Sequence, residues 1–208
     1  MIKKNNIGIF IFNDVDILDF SGPYEVFSRT RLVAGLESRL SEETSPFKVF
    51  TVSEQKKTIT VSGGLKITAD YNFANSPNID ILLVPGGMGT RSLVESETTI
   101  EWIKNIANIA STVTSVCTGS LLLAKAGLLK NKKATTHWGA LSLLKSISAS
   151  TKVVSNERVV KDGVITSAGV SSGIDMAFTV VSMICGEDVA SDTAKYIEYQ
   201  RSAKVVSN

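Results

Sequence analysis

A β-prone run, Thr112 to Val116, meets a helix-prone run, Thr118 to Gly127, with only Cys117 between them. So abrupt a change of structure puts the cysteine on a sharp bend at a helix N-terminus. Unpaired backbone N–H groups and the helix dipole favour negative charge there. The same strand–nucleophile–helix turn presents the reactive side chain of other α/β enzymes. The placement predicts a lowered thiol pKa and a nucleophilic Cys117. A free cysteine also packs as a small hydrophobe, and the bend argues against that use here. Cys185, near the end of an apolar helical run with Gly186 as its stop, reads as packing.

The rest of the chain alternates strand-like and helix-like segments, the pattern of an α/β sheet with helices on both faces. Ile7 to Phe12 and Ile79 to Val84 are short continuous apolar runs, as strands buried on both faces require. Ser21-Gly22-Pro23 predicts a helix start, with Ser21 as cap and Pro23 in the first turn, running to about Leu36. Phe47 to Val52 reads as a strand. Thr58 to Val61 and Leu65 to Thr68, split by Gly63-Gly64, read as a hairpin. Ile100 to Ile109 has helical spacing. Short late strands are predicted around Val153, Arg158 to Val160 and Val164 to Thr166, with closing helices over Gly173 to Ile184 and Asp188 to Tyr199. The polar Glu37 to Ser45 segment reads as a surface loop. There is no internal repeat, and residues 1–208 read as a single domain.

Composition excludes several function classes. The apolar fraction of 43% and charged fraction of 20% are ordinary for a soluble globular protein. A net charge of +2 from interspersed signs gives no basic stripe for nucleic acid. The N-terminal apolar run is too short for a signal peptide core or a membrane span. Two cysteines in such different settings make no disulfide framework, so a cytoplasmic setting is expected. One histidine and no cysteine cluster predict no metal.

In open parallel sheets, ligands bind outside the carboxyl ends of the strands. Three groups are expected on that rim: Asp14 to Asp19, Gly86-Gly87, and Cys117-Thr118. Asp14 and Asp16 read as solvated turn residues. Asp19, between Leu18 and Phe20, is either a helix cap or a partly buried acid/base whose pKa burial would raise. Glu25, one turn further on, is a second candidate carboxylate. Gly86-Gly87 after Pro85 is either plain turn chemistry or a backbone left bare for a substrate, with the Gly87 and Thr118 N–H groups forming an anion hole. Gly86-Gly87-Met88-Gly89 does not have the spacing of a dinucleotide fingerprint. His137, the only histidine, is open to three readings: a structural residue, a pocket-lining residue, or a general base for the sulfur. Thr118 either serves the first helical turn or bonds the reacting group.

Taken in order, Leu18-Asp19-Phe20-Ser21-Gly22-Pro23, Val84-Pro85-Gly86-Gly87, Ser115-Val116-Cys117-Thr118-Gly119-Ser120, Ala134-Thr135-Thr136-His137-Trp138 and Gly173-Ile174-Asp175 resemble the ThiJ/PfpI superfamily, of the class I glutamine amidotransferase-like type. The likeness is strongest to its isonitrile hydratase branch and runs from about Ile7 to about Tyr199. It implies a flavodoxin-like doubly wound sheet, a homodimer, a small-molecule substrate and no cofactor. Carried onto this chain, Cys117 would attack the terminal carbon of an isonitrile, Asp19 would move the protons, and Thr118 would orient the reacting group. The product would be an N-substituted formamide. Protease-like members carry a histidine directly after the cysteine, where Thr118 stands here, which argues against Cys-His peptidase chemistry. The alternatives are glyoxalase or deglycase action on small dicarbonyls, and a non-enzymatic small-molecule or oxidative-stress sensor using the same cysteine. The chain to Asn208 shows no helix-turn-helix module of the kind fused to this domain in AraC-type regulators, so a stand-alone protein is expected. The tail from Tyr199 onward departs from the usual ending of the branch.

Overall fold

The structure, a computed structural model, describes residues 3–55, 57–201 and 206–207. The divergent tail after Arg201 therefore lies outside the described residues except for one two-residue strand. In chain order the elements are β1 (Asn5–Phe10), α1 (Ile17–Arg29), β2 (Phe47–Ser53), β3 (Thr58–Thr60), β4 (Lys66–Thr68), β5 (Tyr71–Asn72), β6 (Ile81–Val84), α2 (Thr90–Leu93) and α3 (Glu97–Ile109). There follow β7 (Thr112–Val116), α4 (Gly119–Lys125), β8 (Lys133–Ala134), α5 (Leu141–Ile147), β9 (Lys152–Val153), β10 (Val159–Asp162), β11 (Val164–Ser167), α6 (Ser172–Cys185), α7 (Glu187–Tyr196) and β12 (Val206–Ser207).

The main sheet has the order β12-β10-β11-β7-β6-β1-β2-β5. All its pairings are parallel except β10 with β11. This is the doubly wound, flavodoxin-like arrangement expected from alternating strands and helices. The central strands are the most apolar: all four residues of β6 are buried, as are Ile7, Ile9 and Phe10 of β1. Each has helices on both sides and no face left for water. One helical layer is α1, α6 and α7, with α1 packed on α6 and β2, and α6 on β7 and β11. The other is built around α4, which packs on β6 and β7 beside α3 and α5.

Two predicted boundaries move. The first helix begins at Ile17, with Asp16 as N-cap residue, so Ser21 and Pro23 lie inside it. Pro23 forgoes one i→i−4 hydrogen bond inside the helix, while the buried stripe Asp19, Phe20, Pro23, Val26, Phe27 is kept. The helix ends at Arg29 rather than near Leu36. The segment that follows is held by Arg31, 1% exposed, whose guanidinium donates to the carbonyls of Ser28, Thr30, Ser38 and Ser41. The hairpin is β3 with β4, as predicted.

The start of α4 is set by a close approach. A Cβ on Gly119 would lie 2.0 Å from the Val84 carbonyl oxygen and 2.8 Å from that of Pro85. Both obstacles are backbone at the end of β6, so neither moves without shifting the strand. Gly119→Ala is expected to cost about 2–3 kcal/mol, read from the urea midpoint at unchanged slope. Gly127→Ala, with φ of 79° but open space around it, is expected to cost only about 1 kcal/mol.

Candidate functional site

Cys117 sits on the bend with φ of 56°, a left-handed conformation strained for a residue with a side chain. The bend is held from several sides. Cys117 N–H donates to Ser167 O at 3.0 Å, and Cys117 O accepts from the hydroxyls of Thr136 at 3.0 Å and Ser120 at 3.1 Å. Strands β7 and β11 and the Thr135–Thr136 segment thus fix the elbow together.

The structure brings the three expected rim groups together. Asp16 N–H donates to Gly86 O, and Val15 bridges Gly87. Gly86 N–H in turn donates to Asp19 Oδ2 at 2.9 Å. A Cβ at Gly86 would lie 2.5 Å from Thr118 N and 2.8 Å from Cys117 Cβ, so the bare backbone is what lets the Gly86 loop close on the elbow. One carboxylate oxygen each from Asp16 and Asp19 and the Cys117 sulfur all lie within 4.8 Å of one another.

Asp19 is 0% exposed. Its carboxylate crosses to Gly86 and does not cap its own helix, which removes the capping reading. Oδ1 has no partner at normal hydrogen-bond geometry. Burial raises the Asp19 pKa to about 7; the Gly86 N–H pulls it down, the Asp16 charge pushes it up, and the Cys117 thiol and Val170 N–H pull it down further. Asp16 is therefore half-buried and electrically part of the site, not simply solvated. Asp14 is exposed, and Glu25 pairs with Arg29 on the surface, which takes the second candidate carboxylate out of the site.

The thiol departs from expectation. Burial and then the Asp19 charge push Cys117 up to about 12, while the N–H groups of Thr118 and Val170 pull it down. The residue is 4% exposed, and the dipole of the seven-residue α4 is outweighed by lost hydration and a neighbouring carboxylate. Burial thus favours the neutral thiol.

Other expected contributions shift too. Gly87 N–H, expected to help form an anion hole, donates to Thr118 Oγ1 at 2.9 Å. That hydroxyl also accepts from Thr90 at 3.0 Å and donates to Gly87 O at 3.2 Å. Thr118 Oγ1 thus stitches the Gly87 loop to the elbow, and it is the Thr118 backbone N–H that faces the sulfur. The second N–H at the sulfur is that of Val170, which sequence reasoning missed. Val170 has φ of 37°, an outlier for a β-branched residue. Its only sequence signal is position: it follows β11, a strand parallel to β7, at the carboxyl end. His137 makes no hydrogen bond to the sulfur. Its Nδ1 accepts from Gly139 N–H at 3.2 Å, and its ring packs beside Gly169.

Asp16, Asp19 and Cys117 are also the one group of three metal-ligating side-chain types this close among the described residues, a set unforeseen by the expectation of no metal. A cation there would have to displace a proton from a thiol held near 12. Cys117 and Cys185 are both free thiols. Among the described residues no helix is long and apolar enough to cross a membrane.

The sequence profile of the DJ-1/PfpI family matches residues 5–183. Isonitrile hydratase of Pseudomonas putida is 37% identical over 194 residues, covering 93% of this chain and 78% of that protein. The HTH-type transcriptional regulator GbdR of Pseudomonas aeruginosa is 24% identical over 203 residues, 96% of this chain but 52% of the regulator. The crystal structure of a ThiJ/PfpI family protein from Pseudomonas syringae superposes with a TM-score of 0.83 at 27% identity, covering 97% of this chain and 77% of that one.

The buried carboxyl makes a testable demand on stability. Its folded pKa of about 7 lies above the ordinary carboxyl value of 3.8, so the neutral form is the one folding favours. That contribution is complete below about pH 4 and is lost as pH rises through about 7. Asp19→Asn removes the charge yet keeps an oxygen for Gly86 N–H. Its advantage over the parent is expected to grow between about pH 4 and pH 7 and to level off at about 2–4 kcal/mol above that. Urea melts at the two ends of this range measure it.

Proposed function

Since the chain belongs to the DJ-1/PfpI family, we propose that it is a cofactor-free hydro-lyase that hydrates isonitriles to N-substituted formamides, with Cys117 as nucleophile and Asp19 as acid/base. The observation that carries this reading is the pair itself. A carboxyl with a pKa of about 7 stands within 4.8 Å of a buried neutral thiol. A pKa near the operating pH is what a group that both takes and gives a proton requires. Support from likeness comes from the 37% identity to isonitrile hydratase.

The steps balance within the pair. The Asp19 carboxylate takes the thiol proton as Cys117 Sγ bonds to the terminal carbon of R–N≡C, and returns it to that carbon, leaving a thioimidate, R–N=CH–S–Cys117. The same carboxylate then accepts a proton from water as the water oxygen bonds to the carbon, and passes that proton to nitrogen. Collapse of the tetrahedral adduct breaks the C–S bond. The hydroxyl proton returns to sulfur, giving R–NH–CHO and the starting thiol. The N–H groups of Thr118 and Val170 stabilise sulfur as charge develops on it. Gly86 holds Asp19 in place, and Gly87 acts through its bond to Thr118.

A peroxide sensor would need an exposed thiolate. A 4% exposed thiol pushed up to about 12 works against that alternative. Glyoxalase or deglycase action has no geometric feature here in its favour. Pairing of two copies belongs to the same proposal. The exposed side of α1, with Leu18 and Tyr24 each 37% exposed, would supply the contact. A cytoplasmic setting is proposed with it, where two free thiols persist.

Incubation with an alkyl isonitrile is expected to release the formamide, detected by its formyl proton, and Cys117→Ala is expected to release none. Absence of turnover in the parent protein, or turnover in that variant, defeats the mechanism. Because the carboxylate form is the base, kcat/KM is expected to climb with pH through about 7. Asp19→Asn is expected to lose that limb together with about 10²–10⁴-fold of the rate.

A further inference from the structure

Beside the elbow lies a cavity of about 440 Å³. Its wall includes Thr136, His137, Trp138, Arg158 and Val170. Two of these tie it to the nucleophile. Thr136 Oγ1 donates to Cys117 O, and Val170 turns its N–H toward the sulfur. The wall thus touches the elbow at two points, the Cys117 carbonyl and the N–H that faces its sulfur. We propose that the cavity is the substituent pocket of the site and that it takes an uncharged aromatic group.

The lining selects that class. Trp138 lines the cavity and is 80% exposed, so its ring is open to a ligand. It stands with its centroid 5.3 Å from the His137 ring, tilted by 39°, so the two form an aromatic corner. The Gly139 N–H occupies His137 Nδ1, which leaves the neutral ring's proton on Nε2 as a donor. The charge on the wall is balanced. Arg158 Nε donates to Asp175 Oδ2 at 2.6 Å, Asp175 also accepts from Tyr199 Oη at 3.2 Å, and Glu157 lines the same cavity. No surplus positive charge awaits a carboxylate or phosphate. An apolar cavity of about 150 Å³ already holds benzene, so this one has room for a substituted or fused ring.

The inference rests on the isonitrile reading only for the chemistry at carbon, and two probes separate them. N-benzylformamide and N-methylformamide test the pocket without any reaction. Saturation-transfer NMR is expected to show the benzyl compound bound through its ring protons, more tightly than the methyl one. Trp138→Ala is expected to weaken it about five- to tenfold, the size of a lost aromatic contact, while Trp138→Phe stays within about twofold. With benzyl and methyl isonitrile, the benzyl-to-methyl ratio of kcat/KM is expected to fall by the same factor in Trp138→Ala. Trp138-dependent binding of the formamide without turnover of either isonitrile upholds the pocket and defeats the hydratase. The pocket is overturned by turnover of both isonitriles with an unchanged ratio in Trp138→Ala, by no binding of N-benzylformamide, or by a change of assembly mass in that variant in place of the binding loss.

Discussion

The hydrogen bond from Gly86 N–H to Asp19 Oδ2 holds the molecule's least comfortable group where it is useful. A carboxyl with no exposed surface gives up its hydration and recovers only one well-formed bond at 2.9 Å. Charge in such a place is expensive, and the pKa of about 7 measures that expense. Three things must coincide for it to be met at all. Strand β6 must stop at Val84 so that Gly86 points back. Helix α1 must start early enough to carry Asp19 on its buried face. The absence of a Cβ at Gly86 must let the loop close within touching distance of Thr118 and Cys117. The sheet order, with β6 between β1 and β7, makes these three segments neighbours.

Much of this frame was legible in the residues. The apolar runs of β1 and β6 read as strands buried on both faces, and the abrupt step from β7 to α4, only Cys117 and Thr118 long, read as a bend. The start of α1 was misread because Ser21 and Pro23 are good first-turn residues, a local preference that tertiary packing overrode. Had the helix been begun at Ile17, Asp19 would have fallen on the stripe Asp19, Phe20, Pro23, Val26, Phe27. A carboxylate among apolar residues at helical spacing is a far sharper signal than one in a loop. The misplaced boundary is what left capping open as an alternative.

What the residues could not carry were quantities fixed by tertiary surroundings. A cysteine at a helix start suggests a stabilised thiolate. Whether it is one depends on how much water reaches it and on which charges stand near, and here both push the other way. Val170 shows the same limit. A positive φ at a valine is imposed by the connection from β11 to α6, and nothing in Ala168-Gly169-Val170-Ser171 declares which N–H will be turned toward the sulfur. Thr118 was expected to offer either its hydroxyl or its main-chain N–H. Its hydroxyl is consumed by Gly87 and Thr90, and its contribution at the sulfur is the main-chain N–H.

The neutral thiol also changes how activation must be understood. Burial raises both groups, the Asp19 carboxyl to about 7 and the Cys117 thiol to about 12. Between those values the pair holds a single proton and a single negative charge. Attack by sulfur then needs no thiolate at rest, because the proton has only to cross from Sγ to the adjacent carboxylate while the charge stays within the pair. The burial that makes a free thiolate costly also excludes the solvent that would otherwise compete for that proton. A carbon electrophile that needs a proton delivered as the sulfur bonds to it is well matched to such a pair. An oxidant that needs an exposed thiolate is matched less well to a thiol this buried.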